Sequence, residues 1–355
     1  GIFKDFSSGK GGDSITFIME VEGLTYVEAL KYLAKKYGIE VEEKELTPAQ
    51  KTDRDKKESL LLVLNHAKEF YKKYLHESDE GKSIGLSYFK ERGFRSEIID
   101  DFDLGFSPNQ WDEYYKEATK QQYSQEVLDQ AGLVQFKEEG KKFDRFRNRV
   151  MFPIHNVSGK VIAFGARILS EDKKQPKYLN SPETDVYHKS HILYGIFQAK
   201  SAIRNADRSY LVEGYTDVLA MHQAGVSNAV ASSGTALTKD QIKLIKRYTK
   251  NITVLYDGDE AGLKASLRGI DLILEEDLNV QVVIFPDGHD PDSYSKKVGS
   301  AEFIKYIEEA SQDFISFKTD YYLKESANDP IKRAEAIGDI VQSIVKIPDP
   351  VKQAV

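Results

Sequence analysis

Three acidic segments of the chain have the residue types and spacing to hold divalent cations. Glu213 closes the apolar run Tyr210-Leu211-Val212, Asp257 and Asp259 follow the run ending at Tyr256, and Asp287, Asp290 and Asp292 follow the run ending at Phe285. Carboxylates brought within a few ångströms of one another repel, and their pKa values rise unless cations compensate them. A set of hard oxygen ligands suits Mg²⁺ or Mn²⁺ rather than zinc. Two such ions can stabilise the attacking and leaving oxygens of an in-line phosphoryl transfer together. Asp217, one helical turn past Glu213, points to the same edge in a supporting position. Asp-Gly is also a common turn former, so DGD (257–259) or PDGHDPD (286–292) alone would fit a plain loop. The two together with a strand-end Glu point to a site. A calcium-binding EF-hand is excluded, because Ala261 and Arg268 stand where ligands are required.

The elements that must position these acids alternate. Tyr210–Val212, Asn228–Ala231, Asn251–Tyr256 and Val280–Phe285 read as strands. Between them lie helical patterns over Thr216–Ala224, Thr238–Thr249 (capped by Thr238) and Glu260–Leu274. That alternation implies βαβ units and a mainly parallel sheet, whose carboxyl edge is where ligands bind. Upstream, RVMFPI (149–154) and KVIAFGARIL (160–169) form a hairpin pattern around Asn156–Gly159. A strong amphipathic helix is expected from about Ser59 to Leu75, and residues 80–135 read as mixed and mostly helical. Two helices are expected near Ser14–Val21 and Thr25–Tyr37, the second opened by a Thr25/Glu28 capping box and stopped at Gly38. From Glu40 to Glu58, 12 of 19 residues are charged, which reads as a solvated linker. Residues 301–355 read as helical.

Charge divides the 355-residue chain unevenly. Its formal net charge of −7 argues against binding nucleic acid by bulk positive charge. Yet eleven Lys and Arg face five acids between Lys137 and Lys177, a local +6. Arg145, Arg147 and Arg149 alternate, so on one strand they would line one face as a phosphate ladder. The absence of cysteine excludes a disulfide scaffold, a thiolate zinc site and a cysteine nucleophile. No apolar run is long enough to span a membrane. The start at Gly1-Ile2-Phe3 and the end within a helical pattern read as cuts in a longer, cytoplasmic protein. EGKS (80–83) ends like a phosphate-binding loop, but His76 stands where the first Gly belongs, which excludes a P-loop ATPase. His188 and His191 read as surface or packing residues, and Trp111 as a core residue.

Taken in order, VEGYTDVLA (212–220), ASSGTALT (231–238), YDGDEAG (256–262) and PDGHDPD (286–292) resemble the Toprim module. With FDRFRNRVMFPI (143–154), VIAFGAR (161–167) and PKYLNSPETDVYHK (176–189), the chain resembles the bacterial replicative primases of the DnaG type over nearly its whole length. The resemblance implies an α/β plus α+β fold: a Toprim-type, mainly parallel sheet flanked by helices, preceded by a mixed N-terminal subdomain and followed by a helical bundle. The expected divisions are 1–39, a zinc-ribbon-like remnant without cysteines; 40–58, the charged linker; 59–200, a basic subdomain; 201–300, the Toprim domain; and 301–355, a truncated helical subdomain.

The resemblance further implies synthesis of short RNA primers on single-stranded DNA by two-metal nucleotidyl transfer. Asp257 and Asp259 match the metal-binding pair, and Glu213 matches an acid that serves as metal ligand or general base. Asp290 and Asp292 match a further acidic pair, with Asp217 and Asp287 in support. Lys177 and Lys189, with Arg167, match contacts to nucleotide triphosphate, while Arg145, Arg147 and Arg149 match the surface for template and primer. Tyr178 and Asn180 read as structural. Such primases normally meet the replicative helicase through a further C-terminal domain, which is absent from these residues. In the zinc ribbon that opens such proteins, the last two cysteines correspond to Asp5 and Ser8 here, so the expectation is Mg²⁺ or Mn²⁺ and no zinc. Two alternatives share the Toprim motifs. Strand cleavage of the nuclease or topoisomerase kind would, for a topoisomerase, need a nucleophilic Tyr from a second module that has no match here. A non-catalytic DNA-binding module would typically have lost some of the acids.

Overall fold

The first compact unit, Gly1–Ser59, opens with strands β1 (Ile2–Lys4) and β2 (Gly11–Asp13), paired antiparallel. Asp13 Oδ1 accepts from the Thr16 amide and hydroxyl at 2.8 Å each, capping helix Ser14–Glu22. Helix Tyr26–Tyr37 stops at Gly38, whose φ of +63° is the left-handed conformation that favours glycine. The structure, a computed structural model, describes every residue except 5–10, 23–25, 40–46, 138–139, 170–174, 235, 258–268, 326–328 and 355. The capping box expected at Thr25 and the substituted ligand positions Asp5 and Ser8 therefore lie outside the described residues.

The helix expected from Ser59 begins earlier and runs Pro48–Glu77. Thr47 and Gln50 exchange a capping box, and Asp53 pairs with Lys57 one turn on at 2.8 Å. Charged, straight-chain residues carry a helix without any apolar face, so the second half of the stretch read as linker is an exposed helical extension. From Leu60 onward the helix buries Leu60, Val63, Leu64, Ala67, Tyr71 and Leu75.

The second unit, Leu60–Val355, holds two sheets that matter for function. Strands β3 (Gly105–Ser107), β6 (Arg149–His155), β7 (Val161–Ile168) and β8 (Tyr178–Asn180) form an antiparallel sheet in the order β3-β6-β7-β8. Beside it, β4 (Val134–Phe136) and β5 (Lys142–Asp144) make a separate pair. The β6–β7 hairpin turns where expected: Asn156 Oδ1 accepts from the amides of Ser158 and Lys160, and Gly159 takes φ +86°.

The second sheet has the order β10-β9-β11-β12-β13, made of β9 (Ser209–Val212), β10 (Ala229–Ala231), β11 (Asn251–Tyr256), β12 (Asn279–Ile284) and β13 (Gln312–Asp313). The first four are parallel and β13 is antiparallel. Side chains alternate between two cores. Tyr210, Val212, Leu255 and Val283 pack on one face, and Leu211, Ile252, Val254 and Val282 on the other. Burial on both faces explains why these strands read as unbroken apolar runs rather than alternating ones. The described residues of 301–355 are mostly helical, interrupted by β13 and short turns, with helices Phe314–Glu325 and Pro330–Val345 joined by Lys318 Nζ donating to Ser343 Oγ at 2.6 Å. Among the described residues no helix is long and apolar enough to cross a membrane.

Candidate active site at the carboxyl edge of the parallel sheet

The chain leaves β9 toward β10 on one side and returns to β11 on the other, so the strand order reverses between β9 and β11. A crevice opens outside the strand ends at such a reversal, and it is the preferred ligand site of open α/β sheets. Glu213 and Asp257 are the first residues beyond those two strands. Leu211 lies opposite Val254 in the ladder, so both acids emerge from neighbouring strand ends. The next helix, Tyr215–Gln223, starts within two residues of β9. Its first turn is closed by Asp217 Oδ2, which accepts from the Gly214 amide at 3.0 Å. A Cβ on Gly214 would sit 2.9 Å from that oxygen, so a larger residue there would push on the Asp217 carboxylate.

Asp217 is buried, and its other oxygen, Oδ1, has no hydrogen-bond partner among the described residues. Burial, with the charges of Asp290 and Asp257 adding to it, pushes its pKa up to about 8. Asp290 caps helix Pro291–Val298, its Oδ1 accepting from the Ser293 amide at 2.7 Å. Asp292 is also buried, and its carboxylate meets Arg92 Nη1 at 2.5 Å and Lys296 Nζ at 2.7 Å. Asp287 lies on the short turn Pro286–Gly288, and Asp259 lies outside the described residues. Among the described residues no three acids or histidines are close enough together to form a ready cage. The donor set is nonetheless all oxygen, and a buried, unpartnered carboxylate oxygen amid like charges fits a divalent cation and disfavours an empty edge.

The basic residues gather elsewhere, and not as a ladder on one strand. Arg149 opens β6, whereas Arg145 and Arg147 sit in the segment between β5 and β6, where Asn148 turns the chain at φ +52°. All three still line one cavity of about 470 Å³, together with Trp111, Gln135 and Gln175. The segment is held by Asp144, whose carboxylate accepts from the amides of Tyr114 and Tyr115 at 2.7 and 3.0 Å. Arg149 donates to Pro176 O and Gln175 Oε1, and Arg145 donates to Asn180 O while its Nε is buried without a partner. Among the described residues none of the three lies within ion-pair distance of a carboxylate. Two half-buried guanidiniums, Arg145 and Arg147, beside the buried Arg149 and without an anion, are a receptor for one.

Trp111 corrects the expectation of a core residue. It is 56% exposed, with the Arg147 guanidinium 3.6 Å from its ring centroid. A single Trp carries no periodicity, so the sequence offered no signal for its exposure.

Between the acidic edge and the arginine cavity, β8 bridges the two sheets. Asn180 Oδ1 accepts from Tyr215 Oη at 2.7 Å, and its amide donates to Ser233 O at 3.4 Å. Lys189 Nζ donates to Gly234 O at 2.9 Å, in a loop where Ser233 and Gly234 both take positive φ. Arg167 leaves β7 to donate to Tyr178 Oη at 3.3 Å, with its guanidinium 5.3 Å from the Tyr88 ring. Lys177 is exposed just before β8, its carbonyl accepting from the Ile168 amide. His188 and His191 are exposed and pair with Glu183 and Asp240. Asn180, Tyr88 and Arg92 are residues that sequence reasoning left out of the site or treated as structural. The contacts that bring them there, to Tyr215, Arg167 and Asp292, span 35 to 200 positions, a distance no local pattern encodes.

Comparison with known proteins matches three segments in chain order. Residues 1–49 match the CHC2 zinc finger family, 70–200 the N-terminal domain of the DNA primase catalytic core, and 210–295 a Toprim-like family. The chain is 39% identical to a DNA primase of Halalkalibacterium halodurans over 348 residues, 98% of this chain and 57% of that protein. It spans less than two thirds of the length of the curated relatives it matches. A crystal structure of a DNA primase domain from Pseudomonas aeruginosa superposes with a TM-score of 0.75 at 36% identity, covering 83% of this chain and 92% of that one. A DnaG primase catalytic domain bound to ssDNA superposes with the same TM-score at 33% identity, covering 85% and 97%.

The zinc finger match corrects the expectation that this chain takes no zinc. That expectation followed from the missing cysteines alone, whereas the match rests on the whole of residues 1–49. The three families occur in one order and the fold extends over most of a solved primase domain, so the chain belongs to the DnaG-type bacterial DNA primase family.

Proposed function

We propose that this chain is the core that joins ribonucleotides into primers on a single-stranded DNA template, working in the cytoplasm at the replication fork. The observation that carries the proposal is the pairing of two opposite receptors. An acidic edge lies at the strand-order reversal, and a cavity of three guanidiniums without acid partners lies beyond β8. Its division into a zinc-ribbon-like module (1–39), a connecting segment (40–58), a basic subdomain (59–200), a Toprim domain (201–300) and a helical subdomain (301–355) is part of the same proposal.

In the reaction a primer 3′-hydroxyl attacks the α-phosphorus of a ribonucleoside triphosphate. A new P–O bond forms, the bond to the β-phosphate oxygen breaks, and pyrophosphate leaves with the electron pair. Glu213, Asp257 and Asp290 would hold divalent cations, with Asp259 the expected fourth ligand and Asp217 behind them. Bound there, Mg²⁺ or Mn²⁺ supplies charge stabilisation to the attacking and leaving oxygens. Glu213, exposed at the end of β9, would accept the hydroxyl proton. Lys189 and Arg167 would orient the triphosphate, and Lys177 would add charge beside it. Arg145, Arg147 and Arg149 hold template or primer phosphates, and Trp111 offers its exposed face to a base.

Glu213→Gln and Asp257→Asn each remove an ionised oxygen while preserving shape. Each is expected to lower metal-dependent ribonucleotide incorporation on single-stranded DNA by about 10²–10³-fold with unchanged circular dichroism. Normal incorporation by both variants would refute the proposal.

A further inference from the structure

Asp292 follows Asp290 by two residues and carries the same functional group, yet its surroundings are different. Asp290 spends one oxygen on its own helix, and Asp217 has an oxygen with no partner among the described residues. Asp292 instead meets two side-chain cations: Arg92 Nη1 donates to Oδ2 at 2.5 Å, and Lys296 Nζ lies 2.7 Å from Oδ1, an ion-pair contact outside hydrogen-bond geometry. Arg92 comes from 200 positions away, at the C-terminal cap of helix Ser87–Glu91. Its guanidinium also lies 5.3 Å from the centroid of the Tyr88 ring, over which Arg167 lies at 5.3 Å as well. Lys296 lies 5.5 Å from the Phe94 ring on the same side. Asp292 is 4% exposed, so its charge is met inside the protein rather than by water.

We propose that Arg92 is a positioning residue, and that the Arg92–Asp292 pair is a permanent clamp across the cleft rather than half of a cation site. The clamp fixes helix Pro291–Val298, and with it Asp290 at the helix start, against the same Tyr88 ring that supports Arg167. The acidic edge and the triphosphate wall are thereby held in register. A cation could reach Asp292 Oδ2 only by displacing a charge-assisted contact from a buried carboxylate, whereas the buried Asp217 Oδ1 demands no such displacement. The proposal rests on the reading that this edge binds divalent cations.

Two measurements test it. The first uses the unmodified protein with ¹⁵N-labelled arginine, the Arg92 side-chain signal being assigned through Arg92→Lys. The Arg92 guanidinium N–H groups are expected to stay protected from exchange as Mg²⁺ is added to saturation. Their release by Mg²⁺ would overturn the clamp. The second counts Mn²⁺ by electron paramagnetic resonance, without nucleotide. Arg92→Gln leaves Asp292 with Lys296 alone and is expected to bind its weakest Mn²⁺ about tenfold more tightly. Adding Asp292→Asn should abolish that gain, which loss of packing alone would not do. Unchanged Mn²⁺ binding in a folded Arg92→Gln variant would also overturn the clamp. If the unmodified protein binds no Mn²⁺ at all, the acidic-edge reading fails instead. In that case the melting temperatures of Arg92→Gln, Asp292→Asn and the double variant judge the clamp by themselves. Losses that merely add would overturn it, and a double variant milder than their sum would support it.

Discussion

Two aspartates of this site show how little a residue's type says about its state. Asp217 and Asp292 are both buried beside the same sheet edge, but among the described residues Asp217 has no cation within ion-pair distance, whereas Asp292 meets two. The sequence makes both acids legible as site residues, because they follow apolar runs. It is silent on which of them finds a counter-charge, since Arg92 lies 200 positions from Asp292. The cost of the unmatched one can be measured. Burial and its acidic neighbours raise Asp217 from 3.8 to about 8, so the folded protein holds a proton there that the unfolded chain releases near pH 4. Stability from this group is therefore fully present at low pH and is lost as pH rises toward 8. In chelator, the protein is expected to lose about 2 kcal/mol between pH 6 and pH 8 from Asp217, at most about 1.4 kcal/mol per pH unit. Asp217→Asn should flatten that decline and raise the metal-free melting temperature at pH 8. Calorimetry of both proteins in EDTA checks it, and equal slopes would show that the buried oxygen is compensated in some other way.

At the scale of elements, the parallel strands were the most legible part of the fold. Strands buried on both faces must be apolar throughout, and β9 and β11 each ended where a Glu or Asp appeared. The arginine segment misled because alternation is also what a loop produces when it leaves one strand pair and enters another. Asn148, turning at φ +52°, breaks the register that Arg145, Arg147 and Arg149 were expected to share. The GKS tripeptide lies in a helical turn, where Gly81 serves packing. Residues Gly81–Leu86 form a π-helical turn laid against the end of helix Pro48–Glu77. A Cβ on Gly81 would fall 2.0 Å from Tyr74 O and 2.8 Å from Leu75 Cα, backbone atoms that cannot rotate away. Gly81→Ala is expected to cost roughly 2–3 kcal/mol, read as a lower denaturant midpoint at an unchanged slope. A neutral substitution would mean that the turn relaxes to ordinary α-helix.

Across the whole molecule, the net charge of −7 hides two surfaces that have to be treated separately. Exposed charges more than about 8 Å apart are largely screened at physiological salt, so the acidic edge does not cancel the guanidinium cavity beyond β8. Affinity for single-stranded DNA should accordingly follow the local arginines and not the average. If Arg145, Arg147 and Arg149 each neutralise one phosphate, log K falls with log salt at a slope of about −2. Arg147→Ala removes one such contact and should reduce the steepness by about 0.7. Trp111→Ala makes the contrasting case, because its exposed ring carries no charge. It should weaken binding by about 1–3 kcal/mol for a stacked base and leave the salt slope in place. Fluorescence anisotropy with an oligodeoxythymidine at several salt concentrations separates the two effects. Binding that ignores salt, or a Trp111→Ala variant that changes the slope as Arg147→Ala does, would remove the cavity as the nucleic-acid surface. The Arg147–Trp111 contact at 3.6 Å makes this a strict test, since each side chain orients the other and only the charge distinguishes them.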